Sequence, residues 1–360
     1  MLLLKRIAFY PPFATAGIFP DLDCYQALGI KRYTLGVVEL GDSVNHVLLL
    51  GAGFSRNWKG WLATEIMEDL LGRLSENAEL SNLLRRVSSF EEALSQVQTE
   101  YKSQQSAAAK GRLDRLQGAI LDTFGEMNRA FAGMPSMEFS NDMKFSVQKF
   151  LSKFDAIFTL NQDLLFELHY NIEIHAHPRC NGHHFPGMGP RRPNPVVEAF
   201  PDGLSTVWYP MSDFRVEGDL QPIFKLHGSV NWRDRDGGQL LVMGANKQTT
   251  IREKQILNWY SDQFKSYLEA PNTRLMVIGY SFLDRHINEI IYRAWQTSQL
   301  KMFVVDPKGL GVFNKHPQAT IRVPDPLEEI PSLGVSTRPL SSTFSGDQLE
   351  HGKLMRYFAE

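Results

Sequence analysis

Five short apolar runs in this 360-residue chain each end in residues that can bind an anion, hold a hydroxyl or move a proton. Residues 47–50 run into Gly51-Ala52-Gly53-Phe54-Ser55. Residues 156–160 run into Asn161-Gln162-Asp163, and 222–226 into His227-Gly228-Ser229. Residues 275–278 run into Gly279-Tyr280-Ser281-Phe282, and 302–305 into Asp306-Pro307. The chemistry differs from one end to the next. A glycine turn between a strand and a helix lets backbone come close to a phosphate, and a helix start supplies free N–H groups and a positive dipole end. A carboxamide such as Asn161 holds a hydroxyl or a water without titrating. A histidine such as His227 takes or gives a proton near neutral pH.

Each feature also has a plainer explanation when taken alone. An ordinary strand-to-helix turn accounts for Gly51–Gly53. The third glycine of G-x-G-x-x-G is replaced by Arg56, and no acidic residue stands clearly about 20 residues on, as that fingerprint would require. Asn161 serves equally as a helix cap, and His227 as a hydrogen-bonded core histidine. Their common position, just after apolar strands, separates them from chance. In open α/β sheets ligands lie beyond the carboxyl ends of the strands.

The elements that must position these residues are legible in the periodicity. Residues 47–50 predict a buried strand. A helix is expected from about Gly60 to Leu74, with apolar residues at Trp61, Leu62, Ile66, Leu70, Leu71 and Leu74. Residues 75–154 read as a helical insertion, on the three-and-four spacing of Leu80, Leu83, Leu84 and Val87 and of Leu116, Ile120, Phe124 and Met127. An exposed connection is expected at 104–110. Residues 171–221, rich in Pro, Gly and His, read as a lid loop. Residues 239–243 predict a hairpin strand, and 251–268 and the stretch around Ile287, Ile291 and Trp295 predict helices. The fold class expected is α/β, a Rossmann-like parallel sheet with a helical insertion and a lid loop. Residues 45–325 would form that domain. Residues 1–44 would be a loosely ordered N-terminal appendage, and 326–360 a C-terminal extension of short, proline-broken pieces.

Composition narrows the function classes. A hydrophobic fraction of 43% with 22% charged residues is that of a soluble globular protein. A net charge of -2 gives no global attraction to nucleic acid, so direct nucleic-acid binding is not expected. No run approaches the roughly 18 apolar residues of a membrane span, and no signal peptide is expected. Cys24 and Cys180 are the only cysteines, which suits a reducing cytoplasm and cannot make a four-cysteine zinc site. His169, His175, His177, His183 and His184 match no zinc spacing, so no metal is expected.

Taken in order, G-A-G-F-S, T-L-N-Q-D, K-L-H-G-S-V-N-W and I-G-Y-S-F resemble the sirtuin-like NAD-binding family, over about residues 45–310. They resemble most its bacterial branch, whose members cleave NAD and commonly serve antiphage defence. The resemblance implies NAD as substrate. It implies that Gly51, Ala52, Gly53 and Ser55 hold its phosphates. Asn161 and Asp163 would stand at the nicotinamide ribose and His227 would be the catalytic histidine. Gly279 and Ser281 would lie at the adenosine half and Asp306 at the adenine ribose. The zinc-binding four-cysteine module of protein-deacylating sirtuins is absent, and their D-F-R segment is replaced by Arg56-Asn57-Trp58-Lys59-Gly60.

The expectation is therefore NAD hydrolysis to nicotinamide and ADP-ribose. Control would come from self-assembly as a homo-oligomer, from a separate sensor or ATPase protein, or from both. The alternatives are a protein deacylase or ADP-ribosyltransferase, and a non-catalytic module that senses NAD or ADP-ribose.

Overall fold

The computed structural model describes residues 44–170, 182–190, 205–244, 246–314 and 324–359. The appendage expected at 1–44 lies almost wholly outside these residues, as do His175, His177 and both cysteines. The first described strand, β1 (Asn45–Leu50), is followed at once by a short helix α1 (Ala52–Ser55) and a 3-10 turn Arg56–Trp58. The next helix, α2 (Ala63–Arg73), begins three residues later than the spacing predicts. Glu65 accepts the backbone N–H of Leu62 at 2.8 Å and so fixes that start. The glycine turn read at 51–53 is thus only one residue long, because Ala52 already opens a helix.

The insertion is helical as expected: α3 (Ala78–Arg86), α4 (Phe90–Gln104), α5 (Ala107–Ala132) and α6 (Val147–Leu151). Asn77, Ser89 and Ser106 cap the first three through their side-chain oxygens. The connection expected at 104–110 shrinks to Gln105 and Ser106. Gln105 takes a left-handed conformation that ends α4, and Ser106 starts α5.

Strand β2 (Ala156–Thr159) and helix α7 (Leu165–His169) follow. The region read as a lid loop contains strands in its described parts: β3 (His183–His184), β4 (Met188–Pro190) and β5 (Trp208–Pro210). These are too short to show a period, and main-chain pairing creates them. Then come β6 (Gln221–Lys225), β7 (Gly228–Arg233) and β8 (Gln239–Leu241). The single helix expected at 251–268 is two, α8 (Lys247–Glu253) and α9 (Gln255–Glu269), broken at the extended Lys254. The chain continues through β9 (Thr273–Ile278), α10 (Arg285–Ser298), β10 (Lys301–Val305) and β11 (Ser332–Ser336). It ends with α11 (Leu340–Thr343) and α12 (Gln348–Met355).

Seven strands form an all-parallel sheet in the order β11-β10-β9-β1-β2-β6-β3. A parallel sheet with helices packed on it buries its strands, which is why they read as unbroken apolar runs. Val47 to Leu50 are fully buried, as are Ala156 to Phe158. Helix α9 packs on β6 and β9. Phe158 stacks on Phe224 at 4.7 Å and meets Phe264 of α9 at 4.9 Å. A smaller sheet, β4-β5-β7-β8, joins the first where the chain bends at Leu226-His227 between β6 and β7. The C-terminal residues are part of the core, not an extension. Strand β11 extends the main sheet, and buried Tyr357 donates its hydroxyl to the carbonyl of Arg274 in β9 at 2.6 Å. Among the described residues, no helix is long and apolar enough to cross a membrane.

Candidate active site at the carboxyl ends of the sheet

The chain leaves β1 toward β2 on one side and later fills β9, β10 and β11 on the other. The switch point of the sheet therefore lies between β1 and β9, the place where open α/β sheets bind ligands. Main-chain bonds continue just past the strands and align their exits. The N–H of Gly51 donates to Ile278 at 3.0 Å, and that of Gly279 to Val305 at 2.9 Å. Leu160 donates to Leu50, Leu226 to Thr159 and Asp306 to Ser336. The exits Asp306, Gly279, Gly51, Asn161 and His227 thus form one row. Four strand spacings separate its ends, roughly 19 Å, a length suited to an extended dinucleotide.

At the switch point two glycine turns meet backbone to backbone. The N–H of Gly53 donates to the carbonyl of Gly279 at 2.9 Å. A Cβ on Gly51 would lie 2.5 Å from the Gly279 oxygen, and one on Gly53 2.7 Å from the Gly279 Cα. Gly279 has φ of 64°, and its own Cβ would lie 2.4 Å from Gly53. A side chain at any of the three would therefore have to displace backbone. The missing Cβ of Gly53 makes room for Gly279, whereas the dinucleotide fingerprint leads one to expect that space to receive a pyrophosphate. Ala52 is exposed at the start of α1.

Ser55, Asn161 and Asp163 form a connected group. Asn161 Nδ2 donates to Ser55 Oγ at 3.0 Å, and Ser55 Oγ donates to Asp163 Oδ2 at 2.8 Å. Ser55 and Asp163 are buried and Asn161 is half-buried. The other Asp163 oxygen accepts the N–H of Leu165 at the start of α7. The short helix α1 thus brings a hydroxyl onto the T-L-N-Q-D segment. Gln162 turns the other way: its Nε2 donates to Val242 and its carbonyl accepts from Val230, anchoring the segment to the smaller sheet.

Beneath the group lies a buried ion pair that strand periodicity does not announce. Lys225, 2% exposed, donates to Glu167 Oε1 at 2.7 Å, to the Asp163 carbonyl at 2.6 Å and to Ser229 Oγ at 2.7 Å. The signal was a lone charge closing an apolar run, K-L-H-G-S. Asn128 of α5 accepts the N–H of Leu164 at 3.0 Å, tying the helical insertion to the same segment.

His227 is buried, and its Nε2 lies 3.3 Å from Nε2 of His286 in the first turn of α10. Burial, reinforced by the nearby Lys247 charge, pulls His227 down to about 3, against the opposing pull of Asp284. At neutral pH it is an uncharged imidazole with a lone pair to offer. Lys247 is held between Asp284 at 2.8 Å and Glu91 of α4 at 2.9 Å, and these carboxylates keep its pKa raised despite burial. Asp306 is half-buried. Burial raises its carboxyl pKa, although its Oδ1 accepts the Lys308 N–H at 2.8 Å.

The structure thus unites Ser55, Asn161 and Asp163 by hydrogen bonds, and Gly51, Gly53 and Gly279 by backbone contact. It sets His227 and Asp306 in the row of strand exits. Ser281 is exposed, beside buried Phe282 in the loop before α10, and among the described residues no hydrogen bond joins it to the group. No cluster of three His, Cys, Asp or Glu among the described residues is placed to hold a metal ion. His183 and His184 are successive strand residues and so point to opposite faces.

No curated protein matches the chain. The model of the SIR2-like domain family matches residues 155–321, from the residue before β2 to beyond β10, so the match takes in Asn161, Asp163, His227, Gly279 and Asp306. The glycine turn and Ser55 precede the match and are joined to it by the bonds described above. Over residues 155–321 the chain is thus similar to the SIR2-like domain family, a likeness that points to NAD-related activity in general, and the sheet that these residues help to build is α/β and Rossmann-like.

Proposed function

We propose that this protein is an NAD glycohydrolase: it cleaves the nicotinamide–ribose bond with water, giving nicotinamide and ADP-ribose. The supporting observation is the placement of Asn161, fixed by Ser55, at the strand exit beside that of His227, in one row with the Gly51 and Gly279 turns. Nicotinamide in NAD carries a positive charge and leaves neutral, so its departure needs no acid. The ribose carbon becomes oxocarbenium-like, as in glycoside cleavage. Asn161 then orients a ribose hydroxyl or the attacking water. The water oxygen bonds to the anomeric carbon, the C–N electron pair goes to the nicotinamide ring, and the water proton goes to neutral His227. Gly51, Ala52, Gly53 and Ser55 would lie along the phosphates. Gly279, Ser281 and Asp306 would lie along the adenosine half.

An unregulated activity of this kind would exhaust the NAD of its own cell. The reading therefore includes restraint until a trigger acts, in the cytoplasm, as an effector of bacterial antiphage defence. Self-assembly, a separate sensor or ATPase protein, or both would lift that restraint. The helical insertion is a fitting lever. Its Glu91 grips Lys247, whose charge bears on His227.

The test is incubation of the purified full chain with NAD, alone and with proteins encoded beside it, with products separated by chromatography. Equimolar nicotinamide and ADP-ribose without any acylated peptide supports the reading. Nicotinamide release only with an acylated peptide would replace it by deacylation. Binding without turnover under every condition would replace it by a nucleotide sensor.

A further inference from the structure

Among the described residues, the ring that meets buried His227 is that of His286, and through it a proton can leave. His227 Nε2 is 3.3 Å from His286 Nε2, with ring centroids 5.4 Å apart and planes tilted by 39°. At that separation one nitrogen carries a hydrogen and the other supplies the lone pair. His286 is only half-buried. It also lines a groove between α8, α9 and α10 whose walls include Arg252, Asn258, Asp262, Lys265 and Glu289. One side of the His286 ring therefore meets the buried histidine, and the ring reaches a polar, water-accessible groove.

We propose that His286 is the proton outlet of His227, a positioning residue that acts through that histidine and never touches substrate. The proposal rests on the NAD-cleaving reading above. Hydrolysis releases one proton per turnover, and a buried imidazole beside Lys247 is a poor place to keep it. In the step, Nδ1 of His227 takes the proton of the attacking water while its Nε2 proton passes to Nε2 of His286. His227 stays neutral in its other tautomer, and His286 becomes an imidazolium that gives a proton to groove water. Exchange with water between turnovers restores the starting tautomers.

Burial lowers the pKa of both rings, so neither keeps the proton, and the surrounding charges bear on its direction. Lys247 of α8 opposes a positive charge on either ring and is neutralised by Glu91 of α4 and Asp284. Asp284, at the N-cap of α10, draws positive charge toward both rings, and Glu289 of α10 adds to that pull at His286 alone. Arg252, Lys265 and Arg293 flank the groove, with Asp262 among them.

The experiment compares wild type, His286→Gln and His286→Asn, each checked for folding by circular dichroism. NAD cleavage is followed from pH 5 to 9, with and without added imidazole. The expected result is a kcat lower by about 10- to 100-fold, an unchanged KM, a displaced pH profile and partial rescue by imidazole. In parallel, the 15N resonances of the histidine rings are titrated in the full chain without NAD. Replacing His286 should change the tautomer of His227 while leaving His183 alone. An unchanged kcat and pH profile, a loss that imidazole does not relieve, or a His227 resonance indifferent to His286 would each overturn the proposal. If wild type cleaves no NAD, the functional reading falls, and the ring titration still decides whether the two histidines share a proton.

Discussion

Gly53 and Gly279 hold the two halves of the sheet together at its switch point. The Gly53 N–H donates to the Gly279 carbonyl at 2.9 Å, and a Cβ on either residue would enter the backbone of the other. Gly279→Ala is expected to be the worse substitution, since it adds left-handed strain to the clash. Gly53→Val should cost about 2 kcal/mol or more of folding stability through overpacking against fixed backbone. Urea unfolding measures both. Lys110→Ala, on the exposed face of α5, is the control and should stay within about 0.5 kcal/mol of wild type. A Gly53→Val protein that keeps its stability and loses only NAD binding would show that a phosphate, and not Gly279, fills the space.

Asn161→Ala and His227→Ala should each reduce NAD cleavage on the order of 100- to 10,000-fold without unfolding the chain. Product assays with dichroism spectra check this. Near wild-type turnover in both folded variants would remove the site from the row of strand exits.

Ser55→Ala tests the link between Asn161 and Asp163. Removing the hydroxyl leaves a buried carboxylate oxygen without its donor, which should cost about 1–3 kcal/mol. It also frees the Asn161 amide to rotate, so kcat should fall more than NAD affinity. Calorimetric binding on a His227→Ala background separates the two effects. Equal losses of affinity and rate would mean that Ser55 serves the ligand directly.

Acid should destabilise the fold through buried His227 and half-buried His183. Burial lowers His227 to about 3 and His183 to about 4, the latter helped by the neighbouring His184. The unfolded chain takes up these protons near 6.5, before the folded one does. The stability contributed by each neutral ring is therefore complete above about pH 6.5 and is lost as pH falls toward the folded value, by up to about 1.4 kcal/mol per pH unit for each ring. His183→Gln should flatten the stability curve between pH 6.5 and 4 by about one proton. An unaltered slope in denaturant titrations at pH 4.5, 5.5 and 6.5 would refute this.

Purified protein should contain no stoichiometric zinc. The strand alternation that separates His183 from His184 is the structural ground for this. Elemental analysis finding one zinc per chain, lost in the His183→Asn, His184→Asn double variant, would contradict it.

The sequence by itself determined the central strands β1, β2, β6, β9 and β10, because a parallel sheet buried on both faces demands apolar runs, and it placed the polar residues that follow them. Residues 47–50, 156–160, 222–226 and 275–278 were visible for that reason, and Asn161, His227 and Gly279 with them. The insertion was visible through its period, whereas its Asn77, Ser89 and Ser106 caps emerge only from the structure. Only the tertiary structure decided what those residues touch. The three-residue strands β4 and β5 and the two-residue β3 carry no period, so main-chain pairing across distant segments creates them. Strand β11 escaped notice behind Pro324, Pro326 and Pro331, and the sheet edge recruits it. Gly53 announces that a Cβ is forbidden, yet not whether phosphate or Gly279 forbids it. Likewise Ser55 lies 106 residues from Asn161, and His286 59 residues from His227, distances over which no local pattern carries information and only packing brings the side chains together.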